Sequence, residues 1–493
     1  MSPSPVPVRL SVRMYQVGFG DCFLLSLGYP APLDDGRAER HILVDFGSMS
    51  LARGPRSLTP IARLIRDHTD GKLDVVVVSH RHRDHLSGFG NAALAGMIAD
   101  PGFPRLVVRS WTEHPSLDRD ATGLVSGAPS HGPAVGLRSR ALIRTLGGAQ
   151  GFAGDLVGLV GAAAPGSLGA ELKRLAEDQL KNAPAVAQLN VWTAGAKGTF
   201  LHYGMPSGIE EIIPGLSVRV LGPPTVDQHA EVATQRQRDA DEFWMIYQGL
   251  VRGLRPSDLL GAGARRGAAP RSAAPEDEDD GAAPSETTEP AVADAPRPAR
   301  PIGDPGPVRW LTDRMGRQQL NSLLRIVRIL DDVLNNTSLI LLFEVETADG
   351  PLRLLFPGDA QIENWEYALK VAPDHARNLD LLATVDLYKV GHHGSRNATP
   401  RSLFNIWDAP ENRDRPLAAL MSTKCGVHGE SVATAVPRKT LLAALDTRTQ
   451  GQLYQSRALD AGSPFFELSA DLTRGRAFSK VAGPDDKPGP CRL

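Results

Sequence analysis

Three histidines and one aspartate stand within six residues, directly after a run of four valines. They are His80, His82, Asp84 and His85. Imidazole and carboxylate groups are the ligands that Zn²⁺ and related ions bind. Because His80 and His82 are two residues apart, an extended loop projects them on one side, and Asp84 and His85 then turn to a neighbouring position. The spacing favours two ions side by side over a solvated polar loop.

Further metal-ligand types follow other apolar runs, at places where predicted strands end. Asp359 follows RLLFP, where it could bridge two cations about 3.5–4 Å apart or simply form a turn. The doublet His392–His393 again places imidazoles after a strand, and the sequence does not choose between them. Asp45 and Asp21, each near a strand end, could orient ligands through hydrogen bonds or cap turns.

The remaining candidates are polar residues in the same segments, and ordinary loop polarity is the alternative for each. As groups that exchange a proton with a substrate we predict Asp84, His392 and His428. As groups that contact a substrate we predict Asn336, Ser395 and Lys424.

The elements that must position these residues are short apolar strands with helices between them. The predicted strands are 8–18, 22–28, 41–47, 73–79, 216–224, 338–346, 353–359, 386–391 and 416–423. The predicted helices are 57–67 with Ser57 as its cap, 167–181, 231–250, 318–334, 361–370 and 437–445. Strands with interleaved helices on both sides of a central gap predict an α/β chain with two stacked sheets, each covered by helices.

That gap is the segment 261–307, which is rich in Ala, Pro, Gly and charge and almost free of large apolar residues. Such a composition cannot bury enough surface to offset its ordering entropy, so it predicts a disordered linker. The predicted division is a first half over 1–94, an insertion region with part of the central sheet over 95–260, the linker, a second half over 308–480 and a tail over 481–493.

Net charge, cysteine count and the lengths of apolar runs limit the possible partners and location of the protein. The 493 residues carry a formal net charge of −2, which gives no overall attraction to nucleic acid or anionic membranes. The three cysteines, Cys22, Cys425 and Cys491, argue against a disulfide framework and fit a reducing compartment. With no signal peptide and no long apolar run, we expect a cytoplasmic protein without membrane contact.

Together these segments resemble the metallo-β-lactamase superfamily, over about 8–90 and 335–470. The closest resemblance is to the hydrolase domain of bacterial competence (DNA-uptake channel) proteins and their free-standing relatives. The matching motifs are V-G-x-G-D-x-x-L-L at 17–25, H-x-H-x-D-H at 80–85, N-x-x-S-L at 335–339, G-D-A at 358–360 and K-V-x-H-H-G-S at 389–395.

The resemblance implies an αββα four-layer sandwich with two divalent metal ions, Zn first and Mn as the alternative. By motif position, His80 and His82 would hold one ion. Asp84, His85 and His393 would hold the other, and Asp359 would bridge the two. Many members of the superfamily supply a further histidine to the first ion; here the candidates His114, His131, His202 and His229 lie in no recognisable motif.

The predicted activity is hydrolysis of a phosphodiester or phosphoester by a metal-bridged hydroxide, with a nuclease as a sub-case. The expected substrate is a small-molecule or nucleic-acid phosphodiester, and the sequence indicates no obligate protein partner. Two alternatives remain: hydrolysis of a C–O or C–N bond, as in a lactone or β-lactam, and a non-catalytic scaffold with a residual metal site.

Overall fold

The computed structural model of the chain describes residues 5–52, 57–91, 94, 98, 102–117, 123–124, 182–194, 197–233, 242, 334–397, 399–407, 417–427, 435–460, 462–485, 487–489 and 491. The predicted linker at 261–307 and the predicted helix at 167–181 lie outside these residues, as does His428. Of the predicted helix at 318–334, the structure describes only Leu334.

The described residues form a mixed α/β structure with two multi-stranded sheets. The strands are β1 (Arg9–Tyr15), β2 (Cys22–Gly28), β3 (Glu39–Phe46), β4 (Val75–Val77), β5 (Leu106–Ser110), β6 (Gly198–Leu201), β7 (Leu216–Gly222), β8 (Ile340–Val345), β9 (Leu352–Phe356), β10 (Leu387–Lys389), β11 (Ala418–Met421), β12 (Leu453–Gln455), β13 (Phe465–Asp471) and β14 (Ser479–Ala482). The α-helices are α1 (Thr59–Thr69), α2 (Arg83–Leu86), α3 (Ala183–Thr193), α4 (Ile362–Glu366), α5 (His375–Ala383), α6 (Arg401–Ile406) and α7 (Lys439–Arg448).

Both sheets combine antiparallel and parallel pairs. The first has the strand order β14-β13-β1-β2-β3-β4-β5-β6, and the second has the order β12-β11-β10-β9-β8-β7. The strands β3 to β6 are parallel neighbours in the first sheet, as are β9 to β12 in the second. Parallel strands bring their carboxyl ends to one edge of a sheet, which is where the candidate site residues follow in sequence.

The main apolar core lies between the two sheets. Alternate residues of β1 (Leu10, Val12 and Met14) belong to the same buried cluster as Leu341 and Phe343 of β8. This alternation is the period of two expected for a strand with one face toward the core. The strands also have apolar residues on their other faces, so each sheet needs a further cover.

Helices provide that cover on both sheets. On the first sheet, Leu43 and Val76 pack in one cluster with Ile61 of α1 and Leu189 of α3. On the second sheet, a separate cluster joins strand residues to helical ones, among them Leu355 and Tyr388 of β9 and β10 and Trp365 and Leu441 of α4 and α7. The predicted α/β class with two sheets is therefore confirmed.

Several predicted helices and strands are present in the structure, but their first or last residues differ from the predicted ones. The helix predicted from Ser57 is α1, which begins at Thr59 after Leu58; the Ser57 hydroxyl instead accepts a hydrogen bond from the Thr59 N–H at 3.3 Å. The strand predicted over 353–359 is β9, which already ends at Phe356. The predicted helix 361–370 is α4 followed by a π-helical turn, Tyr367–Val371.

Several elements had no counterpart in the sequence analysis, including α3, α5, α6 and the three last strands. Of these, β13 pairs antiparallel with β1, so the end of the chain returns to the first sheet. For the predicted helix 231–250, the described start is a 3₁₀ turn, Ala230–Ala233. Of the rest of that segment, the structure describes only Glu242.

One disulfide forms that the cysteine count did not predict. Cys425, after β11, is bonded to Cys491, 66 residues further on, and Cys22 is free and buried. The pairing was missed because it depends on where the chain end lies in space, which a spacing of 66 residues does not indicate. Among the residues that the structure describes, no helix has the length and apolarity needed to span a membrane.

Candidate metal centre

Four buried side chains converge between the two sheets, with ligand atoms that all lie within 4.8 Å of one another. They are Asp84, His85, Asp359 and His393, hereafter the metal group. His85 Nε2 lies 3.1 Å from Asp359 Oδ2, and His393 Nε2 lies 2.9 Å from Asp84 Oδ2. Imidazole nitrogens and carboxylate oxygens that converge in this way can hold a divalent metal ion.

Each member of the metal group comes directly after a parallel strand. Asp84 and His85 lie in α2, which begins six residues beyond the end of β4. Asp359 lies in the turn after β9, and His393 lies in the turn Gly391–Gly394 after β10. His393 has φ 53°, a left-handed conformation that costs a non-glycine residue free energy, and residues strained in this way cluster at functional sites.

Asp45 orients His85 from behind. Its Oδ2 lies 2.9 Å from His85 Nδ1 and accepts a hydrogen bond from the Ser79 hydroxyl at 2.7 Å. Its Oδ1 accepts the Ser79 backbone N–H, also at 2.7 Å. Asp45 itself has φ 56°. With Nδ1 engaged by a carboxylate, the other nitrogen of His85 is the one that faces the metal group.

His393 is oriented in a similar way, which separates the two histidines of the doublet. His393 Nδ1 lies 2.9 Å from the Ser422 carbonyl oxygen, and its ring packs on Phe19 with centroids 4.2 Å apart. The neighbouring His392 is not a member of the metal group; its Nδ1 lies 2.9 Å from Ser395 Oγ. Burial lowers the pKa of His392 to about 4. The geometry therefore favours His393 as the ligand.

His80 and His82 form a pair of their own beside the metal group. His80 Nε2 lies 2.8 Å from His82 Nδ1, and the rings of His80 and His85 have centroids 4.3 Å apart. Burial, together with the neighbouring His85 and His82, holds the pKa of His80 well below its usual value, so the ring is neutral. A neutral imidazole is the form that binds a metal ion.

The other described histidines contact residues elsewhere in the fold. His114 packs on Phe200, His202 lies against the backbone of Tyr203, and His229 packs on Tyr367. Among the described residues, the metal group includes none of these three histidines. The remaining candidate for a further ligand, His131, lies outside the described residues.

The electrostatics of the metal group fit a bound cation. Burial would lower the pKa of His85, but Asp359, Asp45 and other carboxylates raise it well above its usual value. Burial would also raise the pKa of Asp359, but His85, Lys389 and His393 keep it well below its usual range. Asp84 Oδ1 is buried and accepts no hydrogen bond from any described residue. Such a concentration of buried carboxylate charge requires cations near it.

The predicted substrate-binding residues all have protein partners. Asn336 is fully buried, and its Nδ2 donates to Glu363 Oε2 at 3.3 Å. Lys424 Nζ donates to Ser50 Oγ at 2.9 Å. Ser395 lies close to the metal group through its contact with His392.

Two contributors to the site were not identified from the sequence. Lys389, the first residue of the K-V-x-H-H-G-S motif, forms a buried ion pair with Asp21. Ser79 joins Asp45 to the strand that carries the histidine cluster. A lysine at the end of an apolar strand is an unusual residue to bury, and this is the signal that could have found Lys389.

No protein-family model matches this chain, and no curated protein matches it either. The function is therefore argued from the residues of the site.

Proposed function

We propose that the chain is a metal-dependent hydrolase with the αββα four-layer sandwich of the metallo-β-lactamase superfamily. In this fold, the two inner layers would be the two sheets with their shared core, and the two outer layers would be the helices packed on each sheet. The sequence motifs that carry the resemblance are the same segments that meet at the metal group. This agreement between motif and position supports the assignment.

The convergence of the metal group is the observation that carries the proposal. Its four members come from two sheets and from widely separated parts of the chain, yet their ligand atoms lie within 4.8 Å of one another. Asp45 and the Ser422 carbonyl fix the far nitrogens of His85 and His393. Hydrogen-bond acceptors of this kind, on the ring nitrogen that faces away from the metal, set the orientation and tautomer of metal-binding histidines.

In this proposal His80 and His82 hold one divalent ion, and Asp84, His85 and His393 hold the other. Asp359 would be the ligand that the two ions share. Nitrogen and oxygen ligands of this mixture suit Zn first and Mn as the alternative. When bound, a pair of such ions acidifies water and polarises the oxygen of a substrate.

The substrate is proposed to be a phosphodiester, because the closest resemblance is to a nucleic-acid-processing branch of the superfamily. Asp84 is proposed to exchange a proton with the substrate, since its Oδ1 lies in the metal group and accepts no hydrogen bond from a described residue. The near-neutral net charge of −2 favours a small phosphodiester over tight binding of long nucleic acid.

The test combines metal content with a substrate panel. The protein is stripped with a chelator, reloaded with Zn²⁺ or Mn²⁺, and measured for ions per chain. It is then offered bis(p-nitrophenyl) phosphate, a chromogenic lactone, a β-lactam and single-stranded DNA. We expect about two ions per chain and phosphodiester hydrolysis that is lost on stripping and restored on reloading. Metal-dependent activity on the lactone or β-lactam alone would replace the phosphodiester assignment, and failure to take up metal would remove the hydrolase proposal.

A further inference from the structure

A lysine ammonium is buried directly behind the metal group. Lys389 is the last residue of β10, and its side chain is only 2 % exposed. Its Nζ forms an ion pair with Asp21, donates a hydrogen bond to the Gly358 carbonyl at 2.9 Å and lies 3.4 Å from Asp359 Oδ1. Lysine is almost never fully buried without such partners. The fold therefore surrounds this ammonium with acceptors beside a predicted metal ligand.

The two oxygens of Asp359 have different surroundings. Oδ1 accepts the backbone N–H of His392 at 2.9 Å and lies next to the Lys389 ammonium. Oδ2 lies 3.1 Å from His85 Nε2 and 3.8 Å from His393 Nε2. One oxygen is thus held by donors from the end of β10 and the turn after it, and the other faces the imidazoles of the metal group.

Asp21 determines how strongly Lys389 acts on Asp359. It lies in the loop between β1 and β2, with its carboxylate 3.6 Å from His85 Nδ1 and 3.7 Å from His393 Nδ1. Its backbone N–H donates to the carbonyl oxygen of Asp84 at 2.8 Å. Because Asp21 takes the closest contact with the ammonium, Asp359 shares that charge only at 3.4 Å.

We propose that Lys389 is a positioning residue of the metal centre, which together with Asp21 holds Asp359 Oδ1 so that Oδ2 faces the metal ions. This inference rests on the proposed function, because it concerns the same metal group. The Lys389–Asp21 pair carries no net charge, so it orients Asp359 with little effect on the long-range attraction between the site and a cation. When Asp21 is neutralised, the ammonium turns fully to Asp359 and competes with the metal ions for it.

The first variant is chosen so that the orientation of Asp359 changes while the net charge of the site does not. In the double variant Asp21→Asn/Lys389→Met, both charges disappear together, so no unpaired charge is left buried and the net charge of the site is unchanged. The single variant Asp21→Asn leaves the ammonium with Asp359. The matched control is Arg13→Met/Glu467→Gln, which neutralises a partly buried ion pair between β1 and β13. Each protein is measured for Zn²⁺ affinity by competition with a chromogenic chelator, for thermal unfolding, and for kcat and KM on bis(p-nitrophenyl) phosphate.

For the double variant we expect a folded protein whose dissociation constant for Zn²⁺ rises at least tenfold. Its kcat should fall while KM stays near the wild-type value, because the pair is buried behind the metal group. The single variant Asp21→Asn should bind Zn²⁺ more weakly still. The control should lower only the melting temperature.

A purely structural ion pair would give a different result: a lower melting temperature in the double variant with wild-type Zn²⁺ affinity and kcat. That result overturns the role of Lys389 and leaves the hydrolase proposal intact, provided that wild type binds two ions and hydrolyses the phosphodiester. If wild type takes up no Zn²⁺, both proposals are removed. If the double variant does not fold, Asp21→Asn decides alone: Zn²⁺ affinity at least tenfold weaker supports the role, and unchanged affinity overturns it.

Discussion

Asp359 faces both imidazoles of the metal group through one oxygen and is the predicted bridging ligand, so its removal gives the most direct test of a two-ion centre. Its Oδ2 lies 3.1 Å from His85 Nε2 and 3.8 Å from His393 Nε2. Asp359→Ala should lower the metal content from about two ions per chain and reduce turnover by several orders of magnitude, because activation of water and stabilisation of developing charge both depend on the pair of ions. Mass spectrometry of metal per folded chain, beside the hydrolysis rate, measures both effects.

The control for this variant is His229→Ala. His229 packs on Tyr367, at a distance from the metal group, and the variant should keep both ions and most activity. An Asp359→Ala protein that still held two ions and hydrolysed at nearly the wild-type rate would remove the two-ion assignment. Loss of one ion in His229→Ala would instead identify this residue as the further ligand that the resemblance calls for.

The histidine doublet offers a sharper contrast, because its members are neighbours in sequence with different surroundings. His393 belongs to the metal group, and His392 contacts Ser395. His393→Ala should therefore weaken Zn²⁺ binding by at least tenfold. His392→Ala should keep the ions, since its contact with Asp359 is made by the backbone N–H, which the substitution retains. Equal losses of Zn²⁺ affinity in the two variants would contradict this assignment.

A buried histidine remote from the metal group makes stability depend on pH. His41 in β3 is 4 % exposed, and its Nδ1 lies 3.0 Å from Ser26 Oγ. Burial lowers the pKa of His41 from 6.5 to about 4. Between these values the unfolded chain binds a proton that the folded chain does not, so this group destabilises the fold as pH falls from about 6.5 to 4.

The variant His41→Gln isolates this contribution. Its free energy of unfolding, measured by urea titration, should lie below that of wild type at pH 7. Its disadvantage should then shrink by roughly 3 kcal/mol between pH 7 and pH 4, because only wild type carries the titrating group. A difference between the two proteins that stays constant over this range would show that His41 titrates normally in the folded state.

At the scale of residues, the sequence predicted the members of the metal group but not the ion pair that lies behind them. Asp84, His85, Asp359 and His393 were identifiable because metal-ligand types follow apolar strands. The ion pair between Asp21 and Lys389 was not, because the two residues lie far apart in the sequence and the apolar strand that ends at Lys389 does not indicate its partner. A contact of that kind depends on how the two sheets stack, which no local pattern encodes.

At the scale of elements, long apolar strands were the most predictable features. The run of valines became β4, and LSVRVLG became β7. Strand ends were less predictable, because a strand stops where its neighbour stops pairing: β9 ends at Phe356, three residues before Asp359. Short helices such as α5 and α6 were missed, since their apolar residues are too few to show a period.

One glycine controls how closely two elements of the site approach. A side chain at Gly47, just after β3, would place its Cβ 2.5 Å from the carbonyl oxygen of Arg83 and 2.6 Å from the backbone nitrogen of His85. No real Cβ contact is that short, so Gly47→Ala must push α2 away from β3. We expect a loss of roughly 1–3 kcal/mol in unfolding free energy.

The same variant should bind Zn²⁺ more weakly, because α2 carries Asp84 and His85. Gly489→Ala is the matched control, since nothing lies within 4 Å of a Cβ there, and it should change neither property. Denaturant titration and the chelator competition assay measure the two effects. Normal stability with normal Zn²⁺ affinity in Gly47→Ala would mean that α2 adjusts without cost.

At the scale of the whole molecule, the first and the last strands of the chain lie side by side in the first sheet. The strands β13 and β14 extend the first sheet beyond β1, although they follow the last strand of the second sheet in sequence. The sequence predicted two stacked sheets but placed these late residues with the second half of the chain and the tail. Such a return was not predictable because antiparallel pairing across the full chain length leaves no local signal.

The disulfide makes a second connection across the molecule. Cys425 follows β11 of the second sheet, and Cys491 follows β14 of the first, so the bond joins the chain end to the loop that carries Ser422 and Lys424. Arg457 contacts the sulfur of both cysteines. Closing a loop of 66 residues restricts the unfolded chain, and the loop-entropy relation gives an upper value of about 4 kcal/mol.

Cys491→Ser should therefore lower the free energy of unfolding by about 2–4 kcal/mol in the absence of reductant. Wild type treated with dithiothreitol should fall to the same value, whereas the variant should not respond to the reductant, because its only other cysteines are unpaired. Ser422 lies in the loop that the disulfide tethers, and its carbonyl orients His393. Zn²⁺ affinity should therefore fall together with stability, both in reduced wild type and in Cys491→Ser. If reduction leaves wild-type stability unchanged, the bond does not constrain the chain in solution. If stability falls while Zn²⁺ affinity holds, the loop keeps its position without the tether.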